Sequence, residues 1–186
     1  MTAKEYLKQL SIVILGILIA FWVSNIGSNY KDRVTQKQVL LTILNELKDN
    51  NEKLNITINS LDSLRETFHK VQNKDIESNV LAINYLALQL KNIGYETAKT
   101  TGILKDVDYK MTSKIVGNYE SQNSLAEAEK LVIDELLLVL KNKIGNVDSI
   151  DYLMLQILNL QNHLEDFDTE QKQLIEALMV SLDVEG

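Results

Sequence analysis

From Leu10 to Ile26 the chain reads LSIVILGILIAFWVSNI, an apolar run without a charged residue, bracketed by Lys4 and Lys8 before it and Lys31, Asp32 and Arg33 after it. At a rise of about 1.5 Å per residue, the run lies at the lower limit of what spans a hydrocarbon core of about 30 Å. Tyr6 and Trp22 stand near its two ends, where amphipathic rings favour the headgroup region. The pattern predicts a tail over 1–9 and a transmembrane helix over 10–27, with the lipid bilayer as its partner. A cleaved signal peptide is the competing reading. Against it, the run is long for such a segment, and Phe21, Trp22 and Val23 occupy positions where cleavage needs small residues. Gly16, Ala20 and Ser24 recur every four residues, with Asn25 beside them. They share one helical face on which a second backbone can approach, which predicts a homo-oligomer assembled through this segment.

After a polar hinge at Gly27, Ser28 and Asn29, apolar residues return at Leu40, Leu44, Leu47, Leu54, Ile58, Leu61, Phe68 and Val71, close to a coiled-coil period. A long juxtamembrane helix over 28–74 follows, its periodic part from Lys31 to Asn73 roughly 65 Å long if it is not divided at Asn50-Asn51 or Asn59-Ser60. Asn51 and Arg65 take two positions where that period wants apolar side chains, and a polar residue there fixes register. Packing on the same chain is the simpler expectation for this stripe, and packing on a twin is the alternative. The spacing of Ile76, Val80, Ile83, Ala87 and Leu90 predicts a further helix from Asp75 to Ile93, ended by Gly94. Tyr95 to Lys114 is irregular, with a break at Gly102. Leu125 to Ile144 includes LVIDELLLVL, too broadly apolar for a surface helix, so it is either central or covered by a partner. Gly145-Asn146 reads as a turn. Val147, Ile150, Leu153, Met154, Ile157, Leu158 and Leu164 mark the next helix. Asp168 and Gln171 resemble a capping box that opens a last helix, with Leu174, Ile175, Leu178 and Leu182 facing inward. The fold class is therefore all-α: the transmembrane helix, the juxtamembrane helix, and an antiparallel helical bundle over 75–186.

Composition agrees, since proline and cysteine are absent and only 7 glycines occur. Without cysteine there are no disulfides, thiolate nucleophiles or zinc-thiolate sites. A net charge of −7 argues against an extended nucleic-acid surface. His69 and His163 have no metal-ligand partner one turn away, and Asp106 with Asp108, or Asp148 with Asp151, come with neither a nucleophile nor a Gly-rich loop. No catalytic activity, cofactor or metal is expected. One segment has residue types suited to a small anionic ligand: Lys99, Thr100, Thr101, Lys105, Tyr109 and Lys110 surround a glycine-containing turn, as an anion or nucleotide site would require. Glu96, Asp106 and Asp108 nearly cancel its charge, and the plainer reading is an ordinary helix junction.

VILGILIA followed by Asn25, then Leu41, Leu44, Glu46, Leu47 and Asn50 in an EL-x-x-N arrangement, resembles the N-terminal signature of a family of uncharacterised single-pass bacterial membrane proteins. Thr101-Gly102-Ile103-Leu104 and Tyr119 are similar to that family's middle segment. Trp22 lies upstream of the family's position, and Ile26-Gly27 replaces its aromatic exit. The resemblance implies an anchored helical domain in the bacterial inner membrane and supplies no mechanism. Two readings stand: a membrane-anchored scaffold or interaction protein that self-associates, or a membrane-bound sensor whose helical domain binds an anionic or nucleotide ligand. Three basic residues after the run against two before it lean the domain to the cytoplasmic side.

Overall fold

The computed structural model describes the backbone of residues 3–73, 83, 85–141 and 147–184, and the side chains of 14–22, 33–73, 83, 85–141 and 149–182. The described residues are helical apart from the 83–92 connection and short turns. α1 (Ala3–Gln72) is followed by α2 (Ile93–Thr100), a short 3-10 helix (Ile103–Asp106), α3 (Tyr109–Lys141) and α4 (Val147–Val184).

Several sequence expectations change. α1 is one uninterrupted helix, so the hinge at Gly27, Ser28 and Asn29 is helical, and neither asparagine pair divides it. The helix expected from Asp75 to Ile93 is absent over 83 and 85–92, which are extended; 74–82 and 84 lie outside the described residues. Gly94 lies inside the first turn of α2 and ends nothing. α3 begins at Tyr109, well before Leu125, because Asp108 caps it: its Oδ2 accepts from the backbone N–H of Lys110 at 2.9 Å and of Met111 at 3.1 Å. No boundary falls at Asp168. The last two expected helices are a single α4, and Asp168 instead accepts from Lys172 Nζ at 2.6 Å and from Asn51 Nδ2 at 2.7 Å across the bundle. The Gly145-Asn146 turn lies outside the described residues.

The transmembrane expectation is not carried by the described part of the chain: among the described residues no helix is long and apolar enough to cross a membrane. Of the run 10–26, the side chains of 14–22 are described.

The bundle has three long helices. α1 and α3 each pack along α4 and scarcely touch one another. α4 runs antiparallel to both, since Gln72 Nε2 reaches Asp151 at one end while Leu40 and Leu182 share the core at the other. The apolar stripe of α1 from Leu40 to Phe68 packs within its own chain. Leu40, Leu44, Leu47, Leu54, Leu61 and Phe68 are buried, in two apolar clusters divided after Leu47. Between the clusters lies a layer of amides: Asn50, Asn118, Gln122 and Gln171 are buried, with Asn51 half-buried beside them. Asn51 spans the bundle from this layer, donating through Nδ2 to Asp168 of α4. Arg65 bonds Asp62 on its own helix at 3.2 Å, and Asp62 in turn accepts from Gln161 Nε2 of α4 at 3.1 Å.

The LVIDELLLVL segment is not central. Val132, Leu136 and Val139 are buried, whereas Leu131, Leu137 and Leu138 are 63%, 58% and 52% exposed. One helix has room for one buried stripe when it packs along one neighbour, and within the single chain its other face is uncovered by the described residues.

Candidate functional site

α1 and α3 run in the same direction, so the chain must return along their full length between them. Gln36 Nε2 donates to the carbonyl of Asp106 at 2.9 Å, which closes that return at the proximal end. From Gln72 back to the level of Gln36 is about 54 Å. Part of this distance is crossed by extended chain, at about 3.3 Å per residue. Residues 85–92 form this extended strap, laid antiparallel against α1.

The strap has no ladder partner, so side chains satisfy its backbone. Glu46, Asn50, Lys53, Thr57 and Ser60 recur at alternating spacings of four and three along α1, forming one polar stripe beside the core. Ser60 Oγ accepts from the N–H of Leu86 at 2.9 Å, and Lys53 Nζ donates to the carbonyl of Gln89 at 2.6 Å. Asn50, fully buried, receives the Lys91 N–H at 2.8 Å and donates to the Lys91 carbonyl at 2.7 Å. From α3, Glu129 Oε1 accepts from the Leu88 N–H and from the Tyr85 hydroxyl, both at 2.5 Å. Ile83, Tyr85, Leu88 and Leu90 pack on the distal cluster, and Leu86 faces outward.

At the strap's end, Glu46 accepts from the Gly94 N–H at 2.8 Å and from the Tyr119 hydroxyl at 2.6 Å. A Cβ on Gly94 would come within 3.3 Å of Thr42 Cγ2 and 3.4 Å of Glu46 Oε1, so the helix start fits closely against α1. Tyr95 and Tyr119 stack with centroids 4.4 Å apart and planes 9° from parallel. Burial, then the hydrogen bond to a carboxylate, pushes the Tyr85 and Tyr119 hydroxyls well above the ordinary tyrosine range, so both stay protonated donors.

The expected anion site is not assembled here. The hydroxyls of Thr100 and Thr101 turn back to carbonyls of their own helix, at 2.8 Å to Glu96 and 2.7 Å to Thr97. Lys99 lies 3.9 Å from Glu96 and 5.6 Å from the Tyr95 ring centre. Lys105 and Lys110 are exposed, and Tyr109 is 85% exposed. Gly102 does form the break, with φ 75°. Gly16 and Ala20 are exposed on α1, and nothing lies within 4 Å of a Cβ placed on Gly16. Ser24 and Asn25 lie outside the residues whose side chains are described. Among the described residues no group of three or more metal-ligating side chains occurs.

On the opposite flank of α3, a cleft of about 300 Å³ opens between α3 and α4, lined by Lys114, Gly117, Asn118, Ser121, Glu170 and Gln173. It continues through Ser121 and Glu170 into a second hollow of about 220 Å³ that reaches His163 and Asp166. Asn118 is 6% exposed, and its Oδ1, like Gln122 Nε2 one turn later, has no hydrogen-bond partner among the described residues. Residue reading alone missed both features. The 3–4 spacing of Glu46, Asn50, Lys53, Thr57 and Ser60 was the signal for the strap, hidden because polar residues at core spacing look like surface.

No protein-family model, curated protein or solved structure matches this chain.

Proposed function

We propose that this protein is a membrane-anchored helical interaction module without catalytic activity, held to the bilayer by the apolar run 10–26 and self-associating through the face of Gly16, Ala20, Ser24 and Asn25. One observation supports the reading. Ile14, Leu15, Ile17, Leu18, Ile19, Phe21 and Trp22 are each 49–77% exposed, on every side of α1. A helix that is apolar all round needs a nonpolar surrounding, and no other element among the described residues covers this one. Because α1 continues without a break into the core at Leu40, the anchor and the domain share one rigid element.

Extraction of membranes from cells making the full chain tests this. The chain should stay in the pellet at alkaline carbonate, and Leu15→Arg with Leu18→Arg should release it. Release of the unaltered chain, like a peripheral protein, would overturn the anchor. The domain is placed on the cytoplasmic side by the basic residues after the run, and reporter fusions to the C-terminus read that side directly.

A further inference from the structure

We infer that the corner between the 3-10 helix and α3 rests on the phospholipid headgroup layer of the bilayer that holds the apolar run, touching it through the Tyr109 ring and the ammonium groups of Lys105 and Lys110. The inference rests on the anchor reading and adds a second membrane contact, made by the domain itself. Two bonds place this corner at the end of the bundle nearest the run. Gln36 Nε2 donates to the Asp106 carbonyl at 2.9 Å, and the Tyr119 hydroxyl of α3 donates to Glu46 of α1 at 2.6 Å. Because α1 and α3 run in the same direction, counting back along both from Tyr119 and Glu46 brings Tyr109 level with Gln36. Gln36 stands about 15 Å along the unbroken α1 from Ile26, where the run ends. The headgroup layer fills about 5–7 Å of that distance. The run itself is about 26 Å long as a helix, shorter than a hydrocarbon core of about 30 Å, which draws its flanks inward. An ordinary helix tilt of about 20° lowers a corner one helix diameter off the axis by about 3 Å more. Extended lysine and tyrosine side chains span what is left.

Direction and chemistry fit this surface. Side chains on a helix lean toward its N-terminus, and the N-terminus of α3 is the end that faces the run, so Tyr109 and Lys110 lean that way. Tyr109 is 85% exposed, more than any other large apolar or aromatic side chain described. A tyrosine ring flanked by lysines suits the headgroup layer, which takes the ring at the interface and the ammonium groups on phosphate. Lys105 and Lys110, like Arg33 on α1 at the same end, are exposed and form no ion pair among the described residues. Opposing charge is limited. Glu96 and Lys99 lie 3.9 Å apart and offset each other. Asp108 is bonded to the backbone N–H groups of Lys110 and Met111, which leaves Asp106 against three basic groups. The last described turn of α4, Met179 to Leu182, brings no charge and leaves Met179 and Val180 exposed; the side chains of Lys31, Asp32 and Asp183 lie outside those described.

The test uses the full chain in vesicles of mixed phosphatidylcholine and phosphatidylglycerol. Trp22 is the only tryptophan, so in the unaltered chain its quenching by lipids brominated at mid-chain reads the anchor. In a Trp22→Phe background, the single indole of Tyr109→Trp should be quenched by a nitroxide on the headgroup and not by mid-chain bromine. The indole of Tyr152→Trp, at the far end of the bundle beside the Gln72 to Asp151 bond, should be quenched by neither. Lys105→Gln and Lys110→Gln should each weaken the contact about fivefold, read as loss of headgroup quenching at position 109, and should leave Trp22 as it was. Equal headgroup quenching at positions 109 and 152, or quenching at 109 that survives both lysine replacements, would overturn this inference and leave the anchor standing. Failure of mid-chain bromine to quench Trp22 would overturn the anchor, and the corner contact with it.

Discussion

Asn50 on α1 and Lys91 on the strap exchange a reciprocal pair of hydrogen bonds, Nδ2 to the Lys91 carbonyl at 2.7 Å and the Lys91 N–H to Oδ1 at 2.8 Å. A side-chain amide here imitates a neighbouring strand. Replacing it with alanine leaves both the N–H and the carbonyl of Lys91, in two successive peptide units, without their partner. Asn50→Ala should cost about 2–3 kcal/mol in urea unfolding, whereas Lys91→Ala, which keeps the backbone pair and removes only the exposed ion pair to Asp49, should leave the urea midpoint nearly unchanged.

Tyrosine ionisation sets an alkaline limit on the fold. Tyr85 and Tyr119 are raised above 10.0 in the folded chain by burial and by their carboxylate partners. Below that value both states hold the proton, and the contribution is fully present. As pH rises above it, the unfolded state gives up its protons first, and stability falls toward the folded values. The urea midpoint should therefore drop between pH 9 and pH 11, and Tyr85→Phe with Tyr119→Phe should flatten the drop while lowering the midpoint at pH 8.

The amide layer of the core includes a group that gains nothing from being polar. Gln171 is fully buried, its Nε2 has no partner, and its Oε1 receives only a 3.4 Å contact from Asn51, which already bonds Asp168. Gln171→Met should raise stability by about 1 kcal/mol, read as a higher urea midpoint with an unchanged slope.

Gly102 turns the chain between α2 and the 3-10 helix with φ 75° and ψ 7°. A Cβ there strains the backbone. Gly102→Ala should destabilise by about 1 kcal/mol, and Gly102→Asn by less, in thermal melts followed by circular dichroism.

Self-association can be separated from folding at Gly16, because no atom lies within 4 Å of a Cβ built there. Gly16→Ile with Ala20→Ile should leave the melting of the domain unchanged and lower the mass seen by light scattering in detergent. An unchanged mass would exclude this face as the contact.

The sequence by itself determined the helical class and the core-facing stripe of α1, because a near-3.5 period and the absence of proline leave few alternatives over long segments. It did not determine the path between α1 and α3. Ile83, Ala87 and Leu90 fit a helical period, while Ile83, Tyr85, Leu88 and Leu90 are the residues that the extended strap turns inward. Local pattern does not choose between these readings. The choice comes from outside the segment, from the polar stripe of α1 and from Glu129, which supply the hydrogen bonds that hold extended chain. The same holds at Asp168, where a capping signal lost to continuous packing of α4 against both neighbours. Nor does residue type at 95–114 say where threonine hydroxyls point; the helix carbonyls beneath them do. Periodicity records which side of an element is buried, but which elements meet, and which buried polar group finds a partner, is set by contacts between residues far apart in the chain.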